Sequence, residues 1–217
     1  DGLAAGKGVA VCPDEASAMA FLDEVFTQRR FGPGRVLVEQ CLTGPEVSVF
    51  AAIVDDQYLV FTPARDYKRA QDGDLGPNTG GMGAVASRQL VSNEMLERIE
   101  EEIVIPTVAG LNREGLPYRG FLYFGLMLTP DGPQVIEYNC RFGDPETQPI
   151  MMRLQSDLVR LCTSALDGTL DQADAQWDTR CAIGVVLAAD GYPGAYATGA
   201  PIHGLDAVHA DTIKVFH

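Results

Sequence analysis

Residues 135–149, VIEYNCRFGDPETQP, constrain the fold more than any other stretch, because a strand, a tight turn and a helix start must follow one another there. In an extended strand alternate side chains share a face. Val135, Glu137, Asn139 and Arg141 are therefore expected on one side, and Ile136, Tyr138 and Cys140 on the other. One side can pack. The other presents a carboxylate, an amide oxygen and a guanidinium in a row, about 7 Å apart from the strand rise. Two hard oxygen donors suit Mg²⁺, which takes one or two protein ligands together with phosphate oxygens and water. The guanidinium is permanently charged, and its fork fits phosphate or carboxylate. Gly143 then supplies a turn, Asp144 a good N-cap, and Pro145 a residue tolerated at the first helical position. A metal pair, a fixed cation and a helix N-terminus converging in one short stretch point to a site that binds and activates a polyphosphate. The same residues also read as an amphipathic strand whose polar face is merely solvated.

The elements around this stretch predict a mixed α/β (α+β) chain. Residues 119–129 (RGFLYFGLMLT) are almost continuously apolar, as in a strand buried on both faces, and Pro130-Asp131-Gly132 turns them into the 134–141 strand. Residues 35–42, 46–54 and 57–63 read as further strands, separated by Thr43-Gly44-Pro45 and by Asp55-Asp56 in the manner of antiparallel hairpins. Helices are expected at 14–29, at 93–112 with a cap at Ser92 and a kink at Pro106, and at 145–167 with a stop at Gly168. Their apolar stripes run through Phe21 and Val25, through Leu96, Ile99 and Ile103, and through Ile150, Leu154, Leu158 and Leu161. Residues 168–180 read as a polar linker, 181–190 as a strand and 191–199 as a turn-rich segment. The longest expected loop, 64–84, mixes Arg65, Lys68 and Arg69 with Asp66, Asp72 and Asp74 and carries five glycines. Loops of that length in a compact domain are commonly functional, and successive glycine-rich N–H groups form anion nests.

Composition narrows the function classes. The net charge of −14 over 217 residues opposes sequence-independent nucleic-acid binding, which needs a basic footprint. Anions must be bound by local cations, backbone N–H groups and metal. The five cysteines form no CxxC pair, so paired zinc ligands are not expected and a reduced, cytoplasmic setting is. The apolar run 182–189 is far too short to span a bilayer. Residues 1–9, DGLAAGKGV, wrap a Gly/Ala loop around Lys7, but the glycine spacing is one residue short of a P-loop, and Gly8 stands where Ser or Thr would hold Mg²⁺. The chain opens on Asp in the middle of a motif, so it is expected to be truncated at both ends.

RFGDPETQ at 141–148 resembles the signature of the phosphoribosylamine–glycine ligase (glycinamide ribonucleotide synthetase) family, ATP-grasp enzymes of purine synthesis. Further strings in the family's order are DGLAAGKGV (1–9), VEQCLTGPEVS (38–48), DYKR (66–69), GPNTGGMGA (76–84), GFLYFGLML (120–128) and GYPGAYATG (191–199). The resemblance implies an ATP-grasp fold of mixed and antiparallel sheets with flanking helices. It implies a partial lid and hinge at 1–42, a core with the metal and substrate site at 43–176, and the start of a C-terminal domain at 177–217. It places Lys7, Gly6 and Gly8 at the ATP phosphates, Glu39 and Leu42 (through backbone) at adenine, and Glu46 at the ribose. Asp66 and Lys68 would line the acceptor site, and Asp144 and Glu146 would orient amino groups. Glu137 and Asn139 would hold Mg²⁺ or Mn²⁺, and Arg141 would stabilise the moving phosphoryl group. The implied reaction joins glycine to 5-phosphoribosylamine at the expense of ATP, in a monomer that needs no nucleic acid or membrane. Alternatives are another ATP-grasp carboxylate–amine ligase, or a nucleotide-binding piece without catalysis.

Overall fold

The computed structural model describes residues 8–208 and 210–217, and the chain divides into two compact units, Asp1–Thr43 and Gly44–His217. Lys7 and Gly6 lie outside the described residues, whereas Gly8 is described and exposed. In the first unit, helix α1 (Glu15–Phe26) begins at a capping box in which Ser17 N–H donates to Asp14 Oδ1 at 2.8 Å. The strand expected at 35–42 does not form. This segment is irregular, and Leu37 and Val38 are 77% and 83% exposed. Alternating apolar residues define a strand only when a neighbouring strand supplies hydrogen bonds, and none of the described strands pairs with 35–42.

The second unit is built on β1 (Glu46–Val54), which is buried on both faces beyond its first residue. Val47, Val49, Ala51 and Ile53 pack on one side with Leu122, Phe124 and Leu126 and with Ile99, Ile103, Val104 and Val108. Phe50, Ala52 and Val54 pack on the other with Phe61, Tyr123, Ile150, Leu161 and Leu170. β2 (Gln57–Val60), shorter than expected, returns along β1 after the Asp55 turn. The segment expected to be one long loop is largely ordered pairing. β3 (Ala64–Asp66) is followed by a two-stranded hairpin, β4 (Arg69–Gln71) with β5 (Leu75–Asn78), and then by β6 (Gly83–Ala86), which pairs with β3. Gly73 and Asp74, at φ +73° and +60°, make the hairpin turn, which is why that stretch looked like pure loop.

The helix expected at 93–112 is α2 (Asn93–Ile99), a π-helical stretch Glu100–Val104 and α3 (Ile105–Arg113). Pro106 cannot donate to the preceding turn, and the helix answers by widening just before it. β7 (Arg119–Thr129) and β8 (Gly132–Asn139) form the expected hairpin, with β7 between β1 and β8. The helix expected at 145–167 is two, α4 (Thr147–Arg153) and α5 (Leu158–Leu166). Leu154 is extended and bridges to Trp177, and Asp157 caps α5 through Val159 N–H at 2.8 Å. The polar stretch after α5 is therefore docked rather than a free linker. Buried Arg153 ties it down, donating to the carbonyls of Asp178 and Arg180 at 2.8 Å each and to Thr62 Oγ1. β9 (Ala182–Val185) adds to β6, completing the sheet order β8-β7-β1-β3-β6-β9, with every pairing antiparallel. Among the described residues no helix is long and apolar enough to cross a membrane.

Candidate active site on one face of the sheet

Residues directly opposite in antiparallel strands share a face. Glu137 on β8 stands opposite Gly125 on β7, Gly125 opposite Ser48 on β1, and Ser48 opposite Ala64 on β3. This row of small residues makes a shallow floor. Two residues along the same strands, on the same face, lie Glu46, Asp66, Asn139 and Tyr123. Glycine at 125 is required for room. A Cβ there would stand 3.0 Å from Glu137 Cγ and 3.1 Å from Tyr123 Cε1.

The strict alternation expected for 135–141 is broken. Leu126 pairs with Val135 but Gly125 with Glu137, so Ile136 is an extra, bulged residue. Val135 consequently turns to the apolar face of Leu122, Phe124 and Leu126. Tyr138 joins it there, edge-on to Phe124 at 5.5 Å and with its hydroxyl 3.1 Å from Thr107 Oγ1. Glu137 and Asn139 keep the site face, the first exposed and the second half-buried. Arg141 lies beyond the end of β8, and its guanidinium donates to the Phe142 carbonyl at 2.7 Å, so it does not continue the row.

Phe142 anchors the turn that follows. Its ring packs against Phe121, Phe50 and Phe61 at centroid distances of 4.2, 5.4 and 5.6 Å. The expected helix start moves two residues later. Asp144 is not the N-cap, Pro145 is not the first helical residue, and Asp144 instead accepts from Gln148 Nε2 at 3.1 Å. Glu146 holds the N-cap position, but its carboxylate does not cap. It folds back over the chain and accepts from Ser48 Oγ at 2.9 Å. Gly143 makes this possible: a Cβ there would stand 2.4 Å from Glu146 Oε2. Its role in the turn is close approach, since its φ is not positive.

Asp66 faces Glu146. Burial, and after it the Glu146 charge, push the Asp66 carboxyl up from 3.8 to about 7; Lys68 and the Tyr67 N–H oppose the rise and Glu46 adds to it. Asp66 Oδ1 is buried without a hydrogen-bond partner among the described residues. Lys68 Nζ lies 3.8 Å from Glu46 Oε2, both side chains half-exposed. Of the expected site residues, the second unit thus gathers Glu46, Asp66, Lys68 and Glu146 with Glu137 and Asn139. Glu39, exposed, and Leu42, half-buried, belong to the irregular end of the first unit.

Among the described residues no cluster of three or more His, Cys, Asp or Glu side chains is arranged to hold a metal. Glu137 with Asn139 supplies two oxygen donors on one face. That donor set suits a hard divalent cation completed by phosphate oxygens. A groove of about 610 Å³ lies on the opposite face, lined by Ile103, Thr107, Tyr118, Leu122, Tyr138 and Cys140, away from these carboxylates.

Ser48 and Tyr123 were missed by reading motifs. The available signal was a single hydroxyl inside the otherwise apolar run 47–54, VSVFAAIV. A lone polar residue on a strand buried on both faces has to meet a partner.

Comparison with known proteins identifies the family. Residues 1–147 match the family model for the phosphoribosylglycinamide synthetase ATP-grasp (A) domain. Phosphoribosylamine–glycine ligases from Allochromatium vinosum and Vibrio vulnificus are 56% and 50% identical over all of this chain, which spans about half (51%) of each. The crystal structure of phosphoribosylamine–glycine ligase from Thermotoga maritima superposes with a TM-score of 0.81 at 36% identity, covering 91% of this chain and 50% of that one. Phosphoribosylglycinamide synthetase from Anaerococcus prevotii, 12% identical, shares the fold at a TM-score of 0.52 over 82% of this chain and 43% of its own. With residues 1–147 matching its model, this chain belongs to the phosphoribosylglycinamide synthetase ATP-grasp (A) domain family.

Proposed function

We propose that this chain carries the nucleotide- and acceptor-binding core of a ligase that joins glycine to 5-phosphoribosylamine with ATP, giving glycinamide ribonucleotide for purine synthesis. The observation that supports it is the gathering of Glu46, Asp66, Lys68, Glu137, Asn139 and Glu146 on one sheet face in a chain of this family. Glu137 and Asn139 would hold Mg²⁺ or Mn²⁺. Such a cation would supply charge neutralisation for the phosphates. Lys7, Gly6 and Gly8 bind the ATP phosphates, the backbone at Glu39 and Leu42 holds adenine, and Glu46 meets the ribose.

Glycine is oriented by its ammonium on Asp66 and Glu146, with Lys68 beside them and Asp144 at the rim. A glycine carboxylate oxygen attacks the γ-phosphorus, the bond to the β-phosphate oxygen breaks, and ADP leaves with that electron pair. The amine of phosphoribosylamine then attacks the acyl carbon, the carbon–oxygen bond breaks, inorganic phosphate departs and the amine loses a proton. Phosphoryl transfer of this kind asks for positioning and charge stabilisation more than for a protein nucleophile. Arg141, just beyond the end of β8, is the cation for the transferring group, with guanidinium donors to spare beside the one given to the Phe142 carbonyl. The functional division we assign is lid and hinge at 1–42, core at 43–176 and the start of a further domain at 177–217. The working form is a cytoplasmic monomer.

Titration calorimetry of ATP into the chain, with and without Mg²⁺, tests the reading. Metal-dependent binding that falls at least tenfold in Glu137→Ala is expected. Unchanged Mg·ATP affinity in that variant refutes the metal assignment. Glycine-dependent ADP formation by an enzyme of the relatives' full length tests the reaction.

A further inference from the structure

Packing does not explain Ser48 and Tyr123. Both are buried, at 3% and 6% exposure, and their hydroxyls meet at 3.1 Å. A serine hydroxyl has one proton to give. Ser48 gives it to Glu146 Oε1 at 2.9 Å, so its contact with Tyr123 must be one it accepts. The donors therefore run in one direction, from Tyr123 to Ser48 to Glu146. Glu146 is itself 3% exposed, and among the described residues no cation is ion-paired with it. A buried carboxylate is costly unless hydrogen-bonded or paired, and hydrogen bonds in series reinforce one another where water is excluded. The strands fix the two hydroxyls rigidly: Ser48 sits in the middle of a sheet, and the Tyr123 ring packs edge-on to Phe50 at 5.1 Å. The site face also carries Glu137, whose charge, with those of Glu146 and Asp66, bears on Tyr123 and after burial keeps its hydroxyl protonated.

We propose that Tyr123 and Ser48 are positioning residues of the ligase: together they hold Glu146 in the orientation in which, with Asp66, it receives the ammonium group of the amino-acid substrate. The proposal rests on the substrate reading given above and adds to it the pair of hydroxyls that aims the carboxylate. Neither hydroxyl touches the reacting atoms. Losing either one leaves Glu146 present but free to rotate, so substrate binding weakens while phosphoryl transfer chemistry persists.

The test is steady-state kinetics on an enzyme of the relatives' full length carrying this chain, with Tyr123→Phe, Ser48→Ala, Glu146→Gln and Tyr123→Phe combined with Glu146→Gln. Tyr123→Phe keeps the ring and its contact with Phe50 and loses one buried hydrogen bond, so a melting temperature lower by no more than about 4 °C is expected. In both hydroxyl variants the KM for glycine should rise about tenfold, equivalent to about 1.4 kcal/mol, with kcat and the KM for ATP within twofold of wild type. In the Glu146→Gln background, Tyr123→Phe should add nothing further, since coupled residues are not additive. If Tyr123→Phe and Ser48→Ala leave the glycine KM unchanged while Glu146→Gln raises it, the positioning proposal is overturned and the substrate reading survives. Equal rises in the glycine and ATP KM values, or full additivity with Glu146→Gln, also overturn the proposal. A Glu146→Gln enzyme with a wild-type glycine KM overturns the substrate reading itself, and the proposal with it.

Discussion

Asp66 makes stability depend on pH in a direction opposite to that of an ordinary surface carboxylate. Its carboxyl is raised from 3.8 to about 7 in the folded chain by burial and by Glu146. Between those two values the folded chain binds a proton at this position that the unfolded chain does not. Stability therefore falls as pH rises through this window, and the loss is complete above the folded value. At 1.36 kcal/mol per pKa unit the whole rise amounts to at most about 4 kcal/mol. Asp66 is only half-buried, and solvent screening reduces that to roughly 2 kcal/mol. Asp66→Asn keeps the shape and removes the ionisation. Urea unfolding of both chains at pH 5 and pH 8 measures the effect. About two thirds of that window lies above pH 5, so the stability of the variant relative to the parent should be about 1 kcal/mol more favourable at pH 8 than at pH 5, or roughly 2–4 °C in Tm for a chain of this size. Taking the difference between the two pH values cancels the constant cost of a buried amide. Parallel pH dependence in the two chains refutes the assignment of a proton to the Asp66 carboxyl.

The remaining predictions concern the parts that hold the site in place. Arg153→Ala leaves the Asp178 and Arg180 carbonyls without their buried donor and should destabilise the chain by about 3 kcal/mol in chemical unfolding. Phe142→Ala empties the space between Phe50, Phe61 and Phe121, at a cost of about 3–5 kcal/mol; a loss below 1 kcal/mol by the same assay counts against its role as the anchor of the turn. Gly125→Ala forces a Cβ against Glu137 Cγ and the Tyr123 ring, and calorimetry should show Mg·ATP affinity reduced about tenfold while affinity for metal-free ATP is unchanged, equivalent to about 1.4 kcal/mol. Gly143→Ala displaces the Glu146 carboxylate and should raise the glycine KM at least as much as losing Ser48, when measured in an enzyme of the relatives' length.

Much of this molecule was decided locally. The apolar run 119–129 with the turn at 130–132 sufficed for the β7–β8 hairpin, because a strand buried on both faces leaves its composition little choice. Ser92 and Asp14 announced their helix starts because capping is a contact between near neighbours in sequence. The strings that carry the family resemblance are likewise local, and they hold Asp66 and Glu146, while strand alternation singled out Glu137 and Asn139. Tertiary structure decided what depends on partners far away in the chain. The bulge at Ile136 arises from the register against β7, and it parts Val135 from Glu137 although strand periodicity puts them together. Residues 35–42 have strand composition, but no described strand pairs with them to make them one. The helix expected at 145–167 yielded at Leu154 because Trp177 and its neighbours compete for that backbone. Asp144 looked like a cap, yet Phe142 and Ser48 pull the turn into the sheet and give the N-cap position to Glu146. Ser48 and Tyr123 took on meaning only when registry laid β1 beside β7, since a hydrogen bond between residues so far apart in the chain exists only once the sheet has formed.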